Sequence, residues 1–291
     1  MPNHSAPIRF LIQSTTASVA LIALAAATSA CTPLEPRSAL PETAARGGAG
    51  ISITPEESER IGRRVWQNES AGRIEGLTAW NAGENFASLG IGHFIWYPSG
   101  QRGPFVESFP ALLRYMNDRG APPPDWLLTT RGCPWPTRDA FMAASNSPQM
   151  RSLRDYLAAT VPLQTEFLIL RLENALPQMM TAAGATQRGL IRGRFHAVAS
   201  TANGKYALID YVNFKGEGTN PNERYNDQGW GLLQVLEEMQ GQPEGQEAAA
   251  EFSRAAIRVL ERRVRNAPAE RNEGRWMAGW RNRCLTYAQP F

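Results

Sequence analysis

Glycines at 72, 76, 83, 90 and 92 interrupt a chain that otherwise reads as helix. Between them runs Phe86-Ala-Ser-Leu-Gly-Ile-Gly-His-Phe-Ile-Trp-Tyr97, closed by Pro98-Ser-Gly100. Aromatic and branched residues bounded by Gly and Pro favour short strands and tight turns over helix. A short antiparallel sheet or hairpin is therefore expected here. Upstream, Thr54-Pro55-Glu56-Glu57 is a strong helix start: Thr54 can cap, Pro55 suits the first turn and Glu57 completes a capping box. Ile61, Val65 and Trp66 line one face, and the spacing predicts a helix to about Asn68 or Glu69, where Ser70-Ala-Gly72 turns the chain. Downstream, helices are expected over Phe109 to Met116, Thr137 to Ala144, Pro148 to Ala159, from Pro162 through Leu176, over residues 203–214, Gly229 to Met239, Glu247 to Val264, and Trp276 to Tyr287. Residues 121–136 read as a Pro-rich loop holding Cys133. The class is α+β, helix-dominated, with a small β-hairpin or sheet after the first helix.

Composition narrows the function classes. The 291 residues are 43% apolar and 20% charged, enough to build a core. Lys and Arg total 30 against 27 Asp and Glu, for a net charge of +3, so no basic field of the kind that binds nucleic acid is present. Three His and three Cys leave little for a metal site, and neither a metal nor a cofactor is expected. A Ser-hydrolase elbow, Gly-x-Ser-x-Gly, is absent from the sequence.

The first thirty residues carry a different message. Arg9 precedes an apolar stretch and a run of small residues that ends on Cys31, the pattern of an export signal. The strongly apolar part, Ala17 to Ala27, is too short to span a bilayer comfortably. The small residues before Cys31 resemble the bacterial lipoprotein signal, in which that Cys becomes the lipidated first residue. On this reading residues 1–31 are the signal, residues 32–50 a flexible tether and residues 51–291 the folded domain. The mature protein would be periplasmic and held to a membrane by its lipid. Thr32 after Cys31, where the sorting rule would place Asp for inner-membrane retention, favours the outer membrane. Export also permits a disulfide between Cys133 and Cys284, with two free thiols as the alternative.

Chemistry concentrates in Asn68-Glu69-Ser-Ala-Gly72 and Glu84-Asn-Phe-Ala-Ser88-Leu-Gly90-Ile-Gly92-His93. A carboxylate at a helix end is followed by a second one beside a short sheet, and glycosidic cleavage commonly uses two carboxylates flanking the scissile bond. Glu69 suits the proton-donor role because the negative end of a helix disfavours its ionised form, and burial beside Trp66 would act the same way. His93, Gly90 and Gly92 read as structural, with the imidazole orienting the hairpin. Asn213, Tyr225 and Asn226 fall in a polar, Gly-bounded stretch that would line a glycan cleft or form an Asn-rich turn between helices. Trp80, Trp96 and Tyr97 are either sugar platforms or core.

Glu69, the Gly-containing hairpin and Ser88-Leu-Gly-Ile-Gly-His93 together resemble the phage-type lysozymes, or muramidases. Their motif is Glu-Gly near the end of the first helix, a hairpin, then Thr-Ile-Gly-Ile-Gly-His. Ala207-Leu-Ile-Asp-Tyr-Val-Asn-Phe-Lys-Gly216, Trp230-Gly-Leu-Leu-Gln-Val-Leu236 and the closing Asn266-to-Arg271 segment with Trp276 and Trp280 extend the resemblance over about residues 54–287. It implies a lysozyme-like fold and cleavage of the β-1,4 bond between N-acetylmuramic acid and N-acetylglucosamine in peptidoglycan glycan strands. Glu69 matches the general acid, and Ser88 matches the cleft Thr that positions water or substrate. The family's middle Asp falls at Ala82. Glu84 is the nearest carboxylate and Glu75 a weaker candidate. The Glu69-to-Ser88 spacing is also longer than in phage enzymes. Two alternatives follow: a lytic transglycosylase, which works with one acid/base Glu, and an inactive lysozyme-like lipoprotein that binds peptidoglycan without cutting it.

Overall fold

The structure, a computed structural model, describes residues 50–103 and 105–290. The segment expected to be a signal ending at Cys31, and the expected tether as far as residue 49, lie outside the described residues. Helix α1 (Pro55–Ser70) starts on the expected capping box: Glu57 N–H donates to Thr54 Oγ1 at 3.2 Å and Thr54 N–H to Glu57 Oε2 at 3.0 Å. Such a cap stabilises the helix by about 1 kcal/mol. The helix stops because Ala71 enters the left-handed region at φ 55°, as the Ser70-Ala-Gly72 turn requires.

A single helical turn at Glu75–Leu77 leads into an antiparallel sheet of β1 (Thr78–Ala79), β2 (Ala87–Leu89) and β3 (Phe94–Trp96), in that order. Ser88 faces Ala79 on one side and Ile95 on the other. The β2–β3 turn is Gly90-Ile91-Gly92-His93, with Gly90 at φ 71° and His93 at φ 48°. Gly90 is demanded twice: its backbone is left-handed, and a Cβ there would strike Gln164 Oε1, which accepts the Ile91 N–H at 2.9 Å. The sheet after the first helix was expected; the short β1 was not, because two residues carry no alternation.

The remainder is helical: α2 (Phe109–Asp118), α3 (Asp125–Leu128), α4 (Arg138–Ala143), α5 (Pro148–Ala159), α6 (Val161–Ala182), α7 (Arg188–Ala199), α8 (Ala202–Lys215), α9 (Leu232–Glu238), α10 (Gly245–Asn266) and α11 (Met277–Leu285). The 121–136 loop contains the one-turn α3, and α7 falls where no helix was anticipated. Between α8 and α9 a hairpin of β4 (Arg224–Tyr225) and β5 (Gln228–Gly229) turns through Asn226 and Asp227, both at positive φ. Helix α8 is buried from Tyr206 to Val212 and packs against α6, α7, α9 and α10. A helix with no polar face belongs in the core. Helices α1 and α6 approach so closely at Gly62 that a Cβ would strike Thr165 Oγ1.

Of the two readings of Cys133 and Cys284, the structure has the two thiols: both are free and buried. Cys133 is hydrogen-bonded beside β3, its N–H donating to Tyr97 O at 2.8 Å, whereas Cys284 sits in α11 with its carbonyl accepting from Ser253 on α10. Burial pushes each thiol up to about 12, which leaves little thiolate. Among the described residues no helix is long and apolar enough to cross a membrane.

Candidate active site

Asp210 is fully buried on α8, and a carboxylate there needs a cation. Arg283 of α11 supplies it: Nε donates to Asp210 Oδ2 at 2.7 Å and Nη2 to Oδ1 at 2.8 Å. Tyr287 O–H adds 2.6 Å to Oδ2 and Asn68 Nδ2 adds 3.1 Å to Oδ1. Asn68 is in the last turn of α1, so the network fixes the end of the helix that carries Glu69.

The same Arg283 Nη2 donates to Glu69 Oε1 at 2.7 Å, and Asn213 Nδ2 reaches that oxygen at 3.3 Å. The other oxygen, Oε2, lies 3.5 Å from His93 Nδ1. Elements far apart in sequence thus converge on one carboxylate: α1, the β2–β3 turn, α8 and α11. Desolvation pushes the Glu69 carboxyl up, but Arg283, His93 and Lys215 outweigh it and hold the group below the usual carboxylate range. This corrects the expectation drawn from the helix end. A helix terminus carries about half a charge, and a full guanidinium charge in hydrogen-bond contact overrides it.

His93 does more than orient the hairpin. Its Nε2 lies 3.2 Å from the carbonyl of Gly76, a contact that requires N–H on that nitrogen. In the neutral ring Nδ1 then turns a lone pair toward Glu69.

Glu84 differs. It lies in the β1–β2 connection, where Trp80 Nε1 donates to its carbonyl at 2.8 Å and Asn81 Nδ2 to its Oε2 at 3.2 Å. It has no ion pair among the described residues. Desolvation raises its carboxyl above the usual range, against smaller opposing effects of Asn81 and His93.

The other expected site residues are dispersed. Ser88 is buried on the central strand and makes no hydrogen bond to Glu69 or Glu84. Gly92 packs closely on Asn213, where a Cβ would meet Oδ1 at 3.0 Å. Tyr225 is half-buried in a second cluster, its O–H donating to Glu273 at 2.9 Å while Arg263 donates to both oxygens of Glu273. Asn226 is an exposed turn tip, the Asn-turn alternative. Trp80 is a correction: it is 5% exposed and packs edge-on against Phe141, so it cannot face a sugar. Trp96 and Tyr97 are buried as well, and Glu75 and Ala82 are exposed.

Sequence reading did not assign Asn68, Asp210, Arg283 or Tyr287 to the site. One signal was present: Asp210 is the lone acid in Tyr206-Ala-Leu-Ile-Asp-Tyr-Val212, and an acid inside a buried helix announces a paired cation. Nothing local pointed to Arg283 among the many arginines of the C-terminal region. Among the described residues no group of three His, Cys, Asp or Glu gathers as metal ligands would. Comparison with known protein families, characterised proteins and solved structures finds no match to this chain.

Proposed function

We propose that this chain is a lysozyme-like, peptidoglycan-cleaving glycosidase, exported and tethered by a lipid on Cys31. The observation that carries the reading is the convergence of Asn213, His93 and Arg283 on Glu69, with a second carboxylate, Glu84, in the β1–β2 connection and bonded only to Asn81 among the side chains of the described residues. Two carboxylates in unlike surroundings are the equipment of glycoside hydrolysis. Glu69 is the proton donor to the leaving oxygen. Its lowered proton affinity makes it a strong acid once protonated, and His93 Nδ1 is placed to share and restore that proton. Glu84 is the base that activates water. A carboxylate whose proton affinity is raised by burial is the better base once ionised. Ser88, buried in the strand, supports the hairpin. No metal or cofactor enters the reaction.

A second reading is a peptidoglycan-binding lipoprotein that has lost cleavage. It is favoured by Ala82 at the place of the family's Asp and by the hold of Arg283, which keeps Glu69 ionised in the ligand-free protein. Incubation of the purified protein with peptidoglycan sacculi, and mass spectrometry of the soluble products, separates the readings. Reducing muramic ends from wild type, lowered at least ~10²-fold in Glu69→Gln as expected for loss of a general acid, establish a hydrolase. Anhydro ends make it a lytic transglycosylase. Sacculi that are bound but release no products sink the enzyme reading and leave the binding protein.

A further inference from the structure

Trp276 is 40% exposed, which leaves much of its indole open to solvent. It ends the helical turn Glu273–Trp276, and Trp280 follows four residues later in α11. The two indoles lie 5.9 Å apart with planes inclined by only 32°. Cations are interleaved with the rings. The Arg275 guanidinium sits 4.5 Å over Trp276, and Lys215 Nζ lies 3.6 Å over Trp280 and 4.0 Å over Phe214. Arg283, which holds Glu69, stands 4.2 Å over the same Phe214. A continuous path of aromatic rings and cations thus runs from an exposed indole to the candidate catalytic carboxylate.

Lys215 is the unexplained member of that path. Unlike Arg263 and Arg283, it has no carboxylate within ion-pair distance and no side-chain hydrogen bond among the described residues. Its ammonium is held only by ring faces, and desolvation and the neighbouring charges of Arg263 and Arg283 press it well below the usual lysine range. A desolvated ammonium beside two like charges is a poor structural element. An incoming anion would relieve both penalties. Flat indole faces are suited to the apolar face of a pyranose ring, whose rim of hydroxyls stays in water.

We propose that Trp276, Trp280 and Lys215 form a subsite for a carboxylated amino-sugar unit, with the exposed Trp276 taking the ring face, Trp280 backing it, and Lys215, seated over Trp280, taking the carboxylate. The inference rests on the glycosidase reading and specifies what lies beside the bond to be cut. The carboxylate has two possible sources, a lactyl ether on a bare glycan or a peptide attached to it.

Intrinsic tryptophan fluorescence of the purified full-length protein, carrying Glu69→Gln so that bound glycan is not cut, reads binding of three probes of equal length. These are a neutral N-acetylglucosamine tetrasaccharide, a bare muramic-acid-containing tetrasaccharide and its peptide-bearing form. Trp276→Ala, at an exposed position, is expected to weaken all three about tenfold, the scale of a lost aromatic contact. Lys215→Met is expected to weaken the carboxylated probes about tenfold and leave the neutral one unchanged, as for a lost hydrogen bond to a charge. Whichever carboxylated probe it weakens identifies the source. If Lys215→Met does not fold, rising salt must weaken the carboxylated probes selectively. Wild type that releases soluble fragments from sacculi, with both variants binding all probes within twofold of the parent, overturns the subsite and leaves the glycosidase reading intact. Loss of stacking without loss of charge discrimination overturns the role of Lys215. A wild type that neither cleaves sacculi nor binds any probe overturns both.

Discussion

Glu69 and Glu84 belong to two regions of the fold, the first to the helical body at the end of α1 and the second to the β1–β2 connection of the hairpin region. Glu69 is held at the end of α1 by a guanidinium, an amide and an imidazole, and that guanidinium is itself locked to buried Asp210. Glu84 has only Asn81 as a side-chain partner. Burial acts on both carboxyls in the same direction, yet the outcomes are opposite because one site contains a cation and the other does not. The difference teaches that desolvation alone does not make a proton donor. The cations within hydrogen-bond reach decide which way a buried carboxyl moves.

The hardest blow to the helical side is Asp210→Asn. It leaves Arg283 buried with one carboxylate fewer and is expected to cost about 3–5 kcal/mol in urea unfolding. A loss below ~1 kcal/mol, the scale of an exposed pair, would show that the network does not anchor the end of α1. On the hairpin side, Glu84→Gln is expected to slow release of soluble fragments from sacculi by about 10²–10⁴-fold, as for loss of a general base. Because the active form needs Glu69 protonated and Glu84 ionised, the wild-type rate rises with pH only up to the lowered Glu69 value and falls above the raised Glu84 value, and the acid limb disappears in the variant. An unchanged profile would remove Glu84 from the chemistry.

The two sides also give opposite slopes of stability against pH. The lowered carboxyl of Glu69 contributes stability that is full above the ordinary carboxylate range and is lost as pH falls through its lowered value. The raised carboxyl of Glu84 contributes stability that is full below the ordinary range and is lost as pH rises through its raised value. Urea midpoints measured across that span for Glu69→Gln and Glu84→Gln should flatten opposite limbs. A common sign would break the comparison.

Smaller effects sharpen it. Gly90→Ala must hold a left-handed backbone and meet Gln164, so a loss of about 1–3 kcal/mol is expected from the hairpin side. A neutral result would mean that the β2–β3 turn relaxes freely. The smallest effect concerns the thiols, one on each side: Cys133 beside β3 and Cys284 in α11. Reductant should leave the melting temperature unchanged, and a thiol reagent should fail to label the native protein. A drop in melting temperature on reduction would restore the disulfide alternative that export permits.

Much of the fold was legible in local signals. Thr54 and Glu57 cap α1, Ser147 and Thr137 cap α5 and α4, and the Gly-punctuated segment 83–97 yields β2 and β3. Helix α7 was not, because its Arg-rich first half and two glycines dilute the apolar face of Ile191, Phe195 and Val198. The β4–β5 hairpin was missed because its strands are two residues long. In the site, Glu69, His93 and Asn213 came together as carboxylate, hairpin and glycan-cleft candidates. Trp80 went to the core because its indole fits between Phe141 and the Glu84 carbonyl.

The sequence by itself determined where α1 begins and ends, that a glycine-turned sheet must follow it, and that carboxylates flank that sheet. These are properties of neighbouring residues, set by capping, backbone conformation and periodicity. Only the tertiary structure decided which way the proton affinity of each carboxylate moves. Arg283 lies at the far end of the chain from Glu69, and its guanidinium reaches the acid because α8 and α11 pack Asp210 beneath both. Electrostatic environment depends on distance through space, and no local pattern in the chain encodes that distance.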